Sequence, residues 1–239
     1  MTVAQKQRCI VDRIVAHGDK VYSLELRPER RVPAFRPGQF LHLTLDPYDP
    51  SGFWPESRAF SIASSPAERD TLRITYSVHG SFTRRMETEL VKGQQVWIKM
   101  PYGDFVIDRR ADVALFAGGT GITAFTAFLE DLTPGNGQSV VLAYGSRTRP
   151  LLIYHDAIER CAARLPMLDV LYFVEQNGGD DPSEIRSGRV SVDAVWARLR
   201  QPVGTMYYIA GPPPMLQSIA GDLRARHVPP EAIHIDAWE

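Results

Sequence analysis

The hydrophobic period of this chain changes once, near Asp108–Ala111, and that change limits what the chain can fold into. Before it, apolar residues alternate with polar or small ones in short runs. Thr71–His79 is the clearest, with Leu72, Ile74, Tyr76 and Val78 on one face, as a half-buried strand requires. Arg8–Ala16, Val21–Arg27, Gln39–Leu45 and Gln95–Met100 read as further strands. The turn-rich stretch from Asp46 to Gly52 reads as an exposed loop, and Thr83–Leu90 as the one helix. Short strands at such spacing predict a closed or nearly closed antiparallel barrel.

After the change, apolar runs at Val113–Ala117, Ser139–Tyr144, Leu168–Val174 and Met206–Ile209 alternate with helical patterns at Thr123–Leu132, Tyr154–Leu165, Val192–Arg200 and Met215–Arg226. A last short strand is expected at Ala232–Asp236. Alternation of this kind predicts a parallel sheet with helices on both faces. The 239 residues thus divide into two domains of ordinary size, 1–109 and 110–239, each able to bury its own core.

The first strand of the second domain runs straight into a glycine turn, Gly118-Gly119-Thr120-Gly121-Ile122-Thr123-Ala124. Gly119, Gly121 and Ala124 fit the G-x-G-x-x-G/A form of a dinucleotide turn. Glycine lets the backbone turn sharply, and the helix that follows offers free N–H groups to a pyrophosphate. The pattern is weak alone, because many tight strand-to-helix turns share it.

Bulk properties narrow the function classes. A net charge of −1 gives no general case for nucleic-acid or membrane partners. Hydrophobic content of 44% and charged content of 23% are those of a soluble globular protein. No window approaches the roughly 18 apolar residues of a membrane span, and MTVAQKQRC lacks an apolar leader core. Cys9 and Cys161 cannot supply the four thiolates of an iron–sulfur cluster. The six histidines show no metal-ligand spacing. The expectation is a cytoplasmic protein without a metal.

Four more segments accompany the glycine turn in a fixed order: Arg58-Ala59-Phe60-Ser61-Ile62-Ala63-Ser64, Gly80-Ser81-Phe82-Thr83, Pro101-Tyr102-Gly103-Asp104-Phe105 and, after the turn, Ala210-Gly211-Pro212-Pro213-Pro214-Met215. The series resembles the ferredoxin–NADP reductase superfamily and covers nearly the whole chain. The resemblance implies an antiparallel β-barrel that binds a flavin, FAD rather than FMN. An α/β parallel-sheet domain for the nicotinamide dinucleotide follows.

The resemblance also implies roles. Arg58 would pair with the flavin pyrophosphate, a task suited to a rigid guanidinium fork, and Ser61 would lie near flavin N5, where hydride arrives. Phe60 stands where the family has Tyr, keeping an aromatic face but losing a hydrogen bond. Ile62 and Ala63 continue this segment. His79, Gly80, Ser81, Phe82 and Thr83 would hold flavin phosphate at a helix start, and Arg84 and Arg85 either add charge there or are solvated. Pro101–Phe105 reads as structural.

In the second domain, Gly119, Thr120, Gly121 and Ile122 would hold the dinucleotide, with Gly211, Pro212 and Met215 opposite and Ala210 replacing the family's cysteine. Ser146, Arg147 and Arg149 lie where such folds read the adenosine ribose. Two arginines without an acid lean toward NADPH, whereas Glu175-Gln176 lacks the Ser-Arg pair of many NADPH users, so the choice stays open. Trp238 would cover the flavin ring with Asp236 as the nearby acid, or else pack an edge strand.

The activity implied is NAD(P)H-dependent reduction of bound FAD. Electrons would then pass to a separate small redox protein: a ferredoxin, a flavodoxin or an oxygenase component. A second reading, favoured by Phe60 and Ala210, is an NAD(P)H:flavin reductase that releases reduced flavin. A third is a flavin-binding relay subunit, usually marked by a cysteine cluster that this chain lacks.

Overall fold

In a computed structural model describing residues 3–135, 137–176 and 185–236, the chain separates into two compact units, Met1–Val106 and Ile107–Glu239. The division falls a few residues ahead of the change in hydrophobic period.

The first unit runs β1 (Gln5–Gly18), β2 (Val21–Pro28), β3 (Phe40–Thr44), β4 (Arg58–Ser61), β5 (Leu72–Ser77), α1 (Ser81–Glu89) and β6 (Gln95–Tyr102). The strands form one antiparallel sheet in the order β4-β3-β6-β1-β2-β5. Its two edges nearly close on each other, because the N–H of Ala63, just past β4, donates to the carbonyl of Arg73 in β5 at 2.8 Å. Alternation decides what lies inside. Leu24, Leu26, Leu41, Leu43, Leu72, Ile74, Val96 and Ile98 are all fully buried. Each such side chain contributes about 1.5–3 kcal/mol by leaving water. Helix α1 plugs this core with Phe82 and Met86, one turn apart and buried.

The second unit runs β7 (Val113–Gly118), α2 (Thr123–Asp131), β8 (Val140–Ser146), α3 (His155–Arg164), β9 (Leu168–Val174), β10 (Ile185–Ser187), α4 (Val192–Trp196), β11 (Met206–Ala210), α5 (Pro213–Ala225) and β12 (Ile233–Asp236). The sheet order is β10-β9-β8-β7-β11-β12, and every pairing is parallel. Strand β7 is buried along its whole length, as a central parallel strand covered on both faces must be. Helix α2 is also buried almost throughout. Its C-terminal carbonyls are closed by Arg164 of α3, whose guanidinium donates to the carbonyls of Leu132, Leu129 and Glu130 at 2.7, 3.1 and 3.0 Å.

Strand β10 is absent from the sequence expectation. It has three residues, two of them exposed, too short for a period to register. Helix α4 stops at Trp196, short of the expected Arg200. Beyond it the N–H of Arg198 turns back to the carbonyl of Val195 at 2.8 Å, and its guanidinium bonds Asp169 of β9 at 3.1 Å. These bonds hold the segment out of the helix.

Candidate functional site

The order of the second sheet creates a place where chain direction reverses. From β7 the chain steps outward through β8 and β9, then returns to β11 on the other side of β7. At such a switch point the loops beyond the carboxyl ends of the two strands part and leave room for a ligand. Both glycine-bearing motifs lie there: a short 3-10 turn, Gly119–Ile122, follows β7, and Gly211–Pro212 follows β11.

The two loops touch backbone to backbone. A Cβ placed on Gly121 would lie 2.3 Å from the carbonyl oxygen of Ala210 and 2.7 Å from the nitrogen of Gly211. One placed on Gly118 would lie 2.5 Å from Sδ of Met215. Gly119 differs: its φ is +53°, in the left-handed region, and it faces open space. The glycines of this turn therefore serve two purposes. Gly118 and Gly121 admit the neighbouring loop, and Gly119 makes the bend and leaves the backbone bare. The Thr123 hydroxyl donates to the carbonyl of Thr120 at 2.7 Å, fixing the first turn of the helix.

Other expected residues align on the same edge. Asp236 pairs in register with Ala210. Gly145 pairs with Gly118, so Ser146, Arg147 and Arg149 follow at the end of β8. Ser146 is committed internally, its hydroxyl donating to the carbonyl of Thr148 at 2.7 Å. Arg147 and Arg149 are exposed. Glu175 meets Arg189 at 3.5 Å. Trp238 lies outside the described residues. The Ile122 side chain is fully buried, so only its backbone can face a ligand.

In the first unit, β4 and the start of α1 bring two distant motifs together. The Arg58 guanidinium lies 5.3 Å from the ring centroid of Phe82. Its Nη1 donates to the carbonyl of Ser57 at 2.9 Å and its Nη2 to Oε1 of Glu56 at 3.0 Å. Helix α1 begins at Gly80, which has no side chain to cap the first-turn N–H groups of Ser81, Phe82 and Thr83. The Thr83 hydroxyl accepts from the N–H of His79 at 2.9 Å and of Gly80 at 3.1 Å, so it serves the turn itself. A fixed guanidinium beside an uncapped helix start fits an anion.

Phe60 stacks edge-on with Tyr76 at 6.2 Å, and Ser61 is half-buried opposite Phe40. Ile62 and Ala63 are fully buried and Phe82 is 2% exposed; their side chains build the core, leaving backbone alone for a ligand. Arg85 is committed to Asp46 at 2.8 Å and Glu89 at 2.9 Å, whereas Arg84 is exposed. Glu56, Asp46 and the Phe82 ring beneath Arg58 were not expected. Only the nearness of Glu56 to Arg58 in sequence could have signalled the first.

Burial holds His17, His42 and His234 below the usual histidine range. His234 stacks on Tyr208 at 4.6 Å. Among the described residues there is no cluster able to hold a metal and no helix long and apolar enough to cross a membrane.

An antiparallel barrel with an uncapped helix start beside an arginine is thus followed by a parallel sheet with a glycine turn at its switch point. Residues 115–221 match the family described as oxidoreductase NAD-binding domain. The chain is 30% identical over 216 residues to the ferredoxin reductase component of 3-ketosteroid-9-alpha-monooxygenase from Mycobacterium tuberculosis, covering 89% of this chain and 57% of that protein. It thus spans under two thirds of the first curated relatives it matches. Its fold is that of the ferredoxin reductase in carbazole 1,9a-dioxygenase, with a TM-score of 0.78 at 23% identity, covering 99% of this chain and 70% of that one. The FAD/NAD-binding domain of nitric oxide dioxygenase from Vibrio cholerae shares the fold at a TM-score of 0.78 and 19% identity, covering 96% and 97%.

Proposed function

We propose that this protein is an NAD(P)H-dependent flavoprotein reductase that holds FAD on its barrel and passes electrons to a separate small redox protein or oxygenase component. The observation that carries the reading is the pairing of two phosphate-suited helix starts in the expected order. One is α1 beside Arg58, and the other is the Gly119–Ile122 turn against Gly211.

The donor sets fit the groups. Arg58 and the first-turn N–H groups of α1 would take the flavin pyrophosphate. The bare backbone at Gly119, Thr120 and Gly121 would take that of the dinucleotide. A flavin held there would supply the hydride-accepting and one-electron redox chemistry. The chain's residues bind and orient: Phe60 offers an aromatic face, Ser61 a hydroxyl on β4, and Met215 and Gly211 support the turn that faces the dinucleotide. Asp236, at the end of β12, and Trp238, outside the described residues, are proposed with Ser61 as residues acting in hydride transfer. Nothing in this scheme asks for a nucleophile or a general base.

Flavin release after reduction is the second reading, favoured by Phe60, which lacks the phenol that would tether the cofactor. Location in the cytoplasm is supported by Cys9 and Cys161, both free and buried. The test is to purify the protein, desalt it and measure bound flavin, then NADH and NADPH oxidation with and without added FAD. Stoichiometric FAD supports the resident-flavin reading. A colourless protein active only with added flavin supports the second, and no oxidation of either nucleotide rejects both.

A further inference from the structure

Arg58 already holds an anion of the protein's own. Its guanidinium is engaged by Glu56 at 3.0 Å and by the carbonyl of Ser57 at 2.9 Å, while the Phe82 ring supports it from below. We infer that Glu56 is an internal competitor for the flavin phosphate, and that its hold on Arg58 sets how readily the cofactor exchanges. This rests on the reading of Arg58 as the flavin-phosphate residue.

Three features make Glu56 a competitor rather than a fixed strut. Both side chains are 50% exposed, so the carboxylate can swing into water without leaving a buried charge behind. Glu56 makes no other ion pair among the described residues, and no second cation anchors it. Phe82, by contrast, is 2% exposed and belongs to the core, and the ring holds the guanidinium at the start of α1 when the carboxylate departs. A phosphate arriving at the uncapped turn therefore exchanges with Glu56 for the same guanidinium. With the carboxylate in place, the Arg58–Glu56 pair carries no net charge. With it gone, a full positive charge lies beside the first-turn N–H groups.

The exchange costs the ion pair and retains some repulsion between the displaced carboxylate and the phosphate. Exposed pairs are weak, so the affinity for a phosphate-bearing flavin is lowered by about two- to fivefold. Riboflavin carries no phosphate and does not meet the competitor. The consequence is a cofactor held for turnover yet exchangeable with free flavin, with the exchange set by a residue that need not touch the flavin ring.

The experiment titrates the full chain, freed of flavin, with FAD, FMN and riboflavin, following flavin fluorescence. Glu56→Gln and Glu56→Ala are expected to tighten FAD and FMN about two- to fivefold and to leave riboflavin unchanged. Arg58→Gln should weaken FAD and FMN, and adding Glu56→Gln to it should bring no gain. Thermal melts matching the native protein confirm that these exposed substitutions leave the fold intact. The competition is overturned if both Glu56 variants leave FAD and FMN affinity unchanged, if riboflavin tightens by the same factor, or if the gain persists without Arg58. If Arg58→Gln alone has no effect on FAD, the placing of the phosphate at Arg58 fails, and the competition with it. A native protein that binds no flavin at all rejects the functional reading instead.

Discussion

The two proposed phosphate sites are built in opposite ways. In the barrel the site is built from side chains at an exposed edge, Arg58 over Phe82 with Glu56 alongside. In the parallel-sheet unit it is built from backbone, with no charged residue between Gly118 and Thr123 and two loops packed so closely that glycine alone fits. Side-chain sites are tuned by charge and tolerate substitution structurally. Backbone sites are all but indifferent to charge and intolerant of a single added carbon.

The largest effect that would break this contrast is at Gly121. An alanine Cβ would meet backbone atoms of Ala210 and Gly211 at 2.3–2.7 Å, and backbone cannot turn aside as a side chain can. Gly121→Ala should destabilise the second unit by about 3 kcal/mol or more. A thermal melt should show a drop on the order of 10 °C, together with lost NADH and NADPH oxidation. An unshifted melt would mean that the loops are not in contact.

Next in size is Arg58→Gln. Losing a charge-assisted bond to phosphate should weaken FAD by about tenfold or more while the melting temperature holds. The pair of substitutions thus separates binding from folding, and equal effects of both on stability would mean that the two sites do not differ in this way.

Gly119→Ala sharpens the same comparison from within one turn. It meets no atoms and suffers only its left-handed φ, so about 1 kcal/mol is expected, well below Gly121→Ala. A reversed ranking would show that bending, not loop contact, is what the turn demands.

The smallest effect is on pH. Burial lowers the folded-state values of His17, His42 and His234. The unfolded chain therefore binds more protons than the folded one below about pH 6.5. Stability from these groups is present above that pH and is lost as the solution is acidified through it. Melting temperature should be flat above neutrality and decline from about pH 6.5 downward, and His17→Gln should make the decline shallower. A melting temperature that rises on acidification through this range would contradict the burial of these rings.

The fold was largely legible because its two periods differ. Leu72, Ile74 and Tyr76 read as a strand, and the apolar stretch Val113–Ala117 read as a buried one. Strand β10 was not, since Ile185–Ser187 is an edge piece held by pairing with Tyr172–Val174 rather than by any pattern of its own. The site was legible as motifs, yet not as physical roles. The spacing of Gly118, Gly119 and Gly121 does not tell which glycine admits a neighbouring loop and which bends, because the neighbour, Ala210–Gly211, lies some ninety residues away. Likewise the sequence could not tell that Thr83 serves its own turn, that Arg85 is taken by Asp46 and Glu89, or that Glu56 is bound to Arg58.

The central claim, that one chain binds a phosphate-bearing flavin on its barrel and reduces it with a nicotinamide nucleotide, is tested most directly without any acceptor protein. The protein is loaded with one equivalent of FAD, mixed anaerobically with NADH or NADPH, and followed at the visible flavin band. The band is expected to bleach at a rate that saturates with nucleotide concentration, and Gly121→Ala to lose the bleaching. Protein that binds FAD stoichiometrically but leaves it oxidised in excess of both nucleotides would contradict the claim.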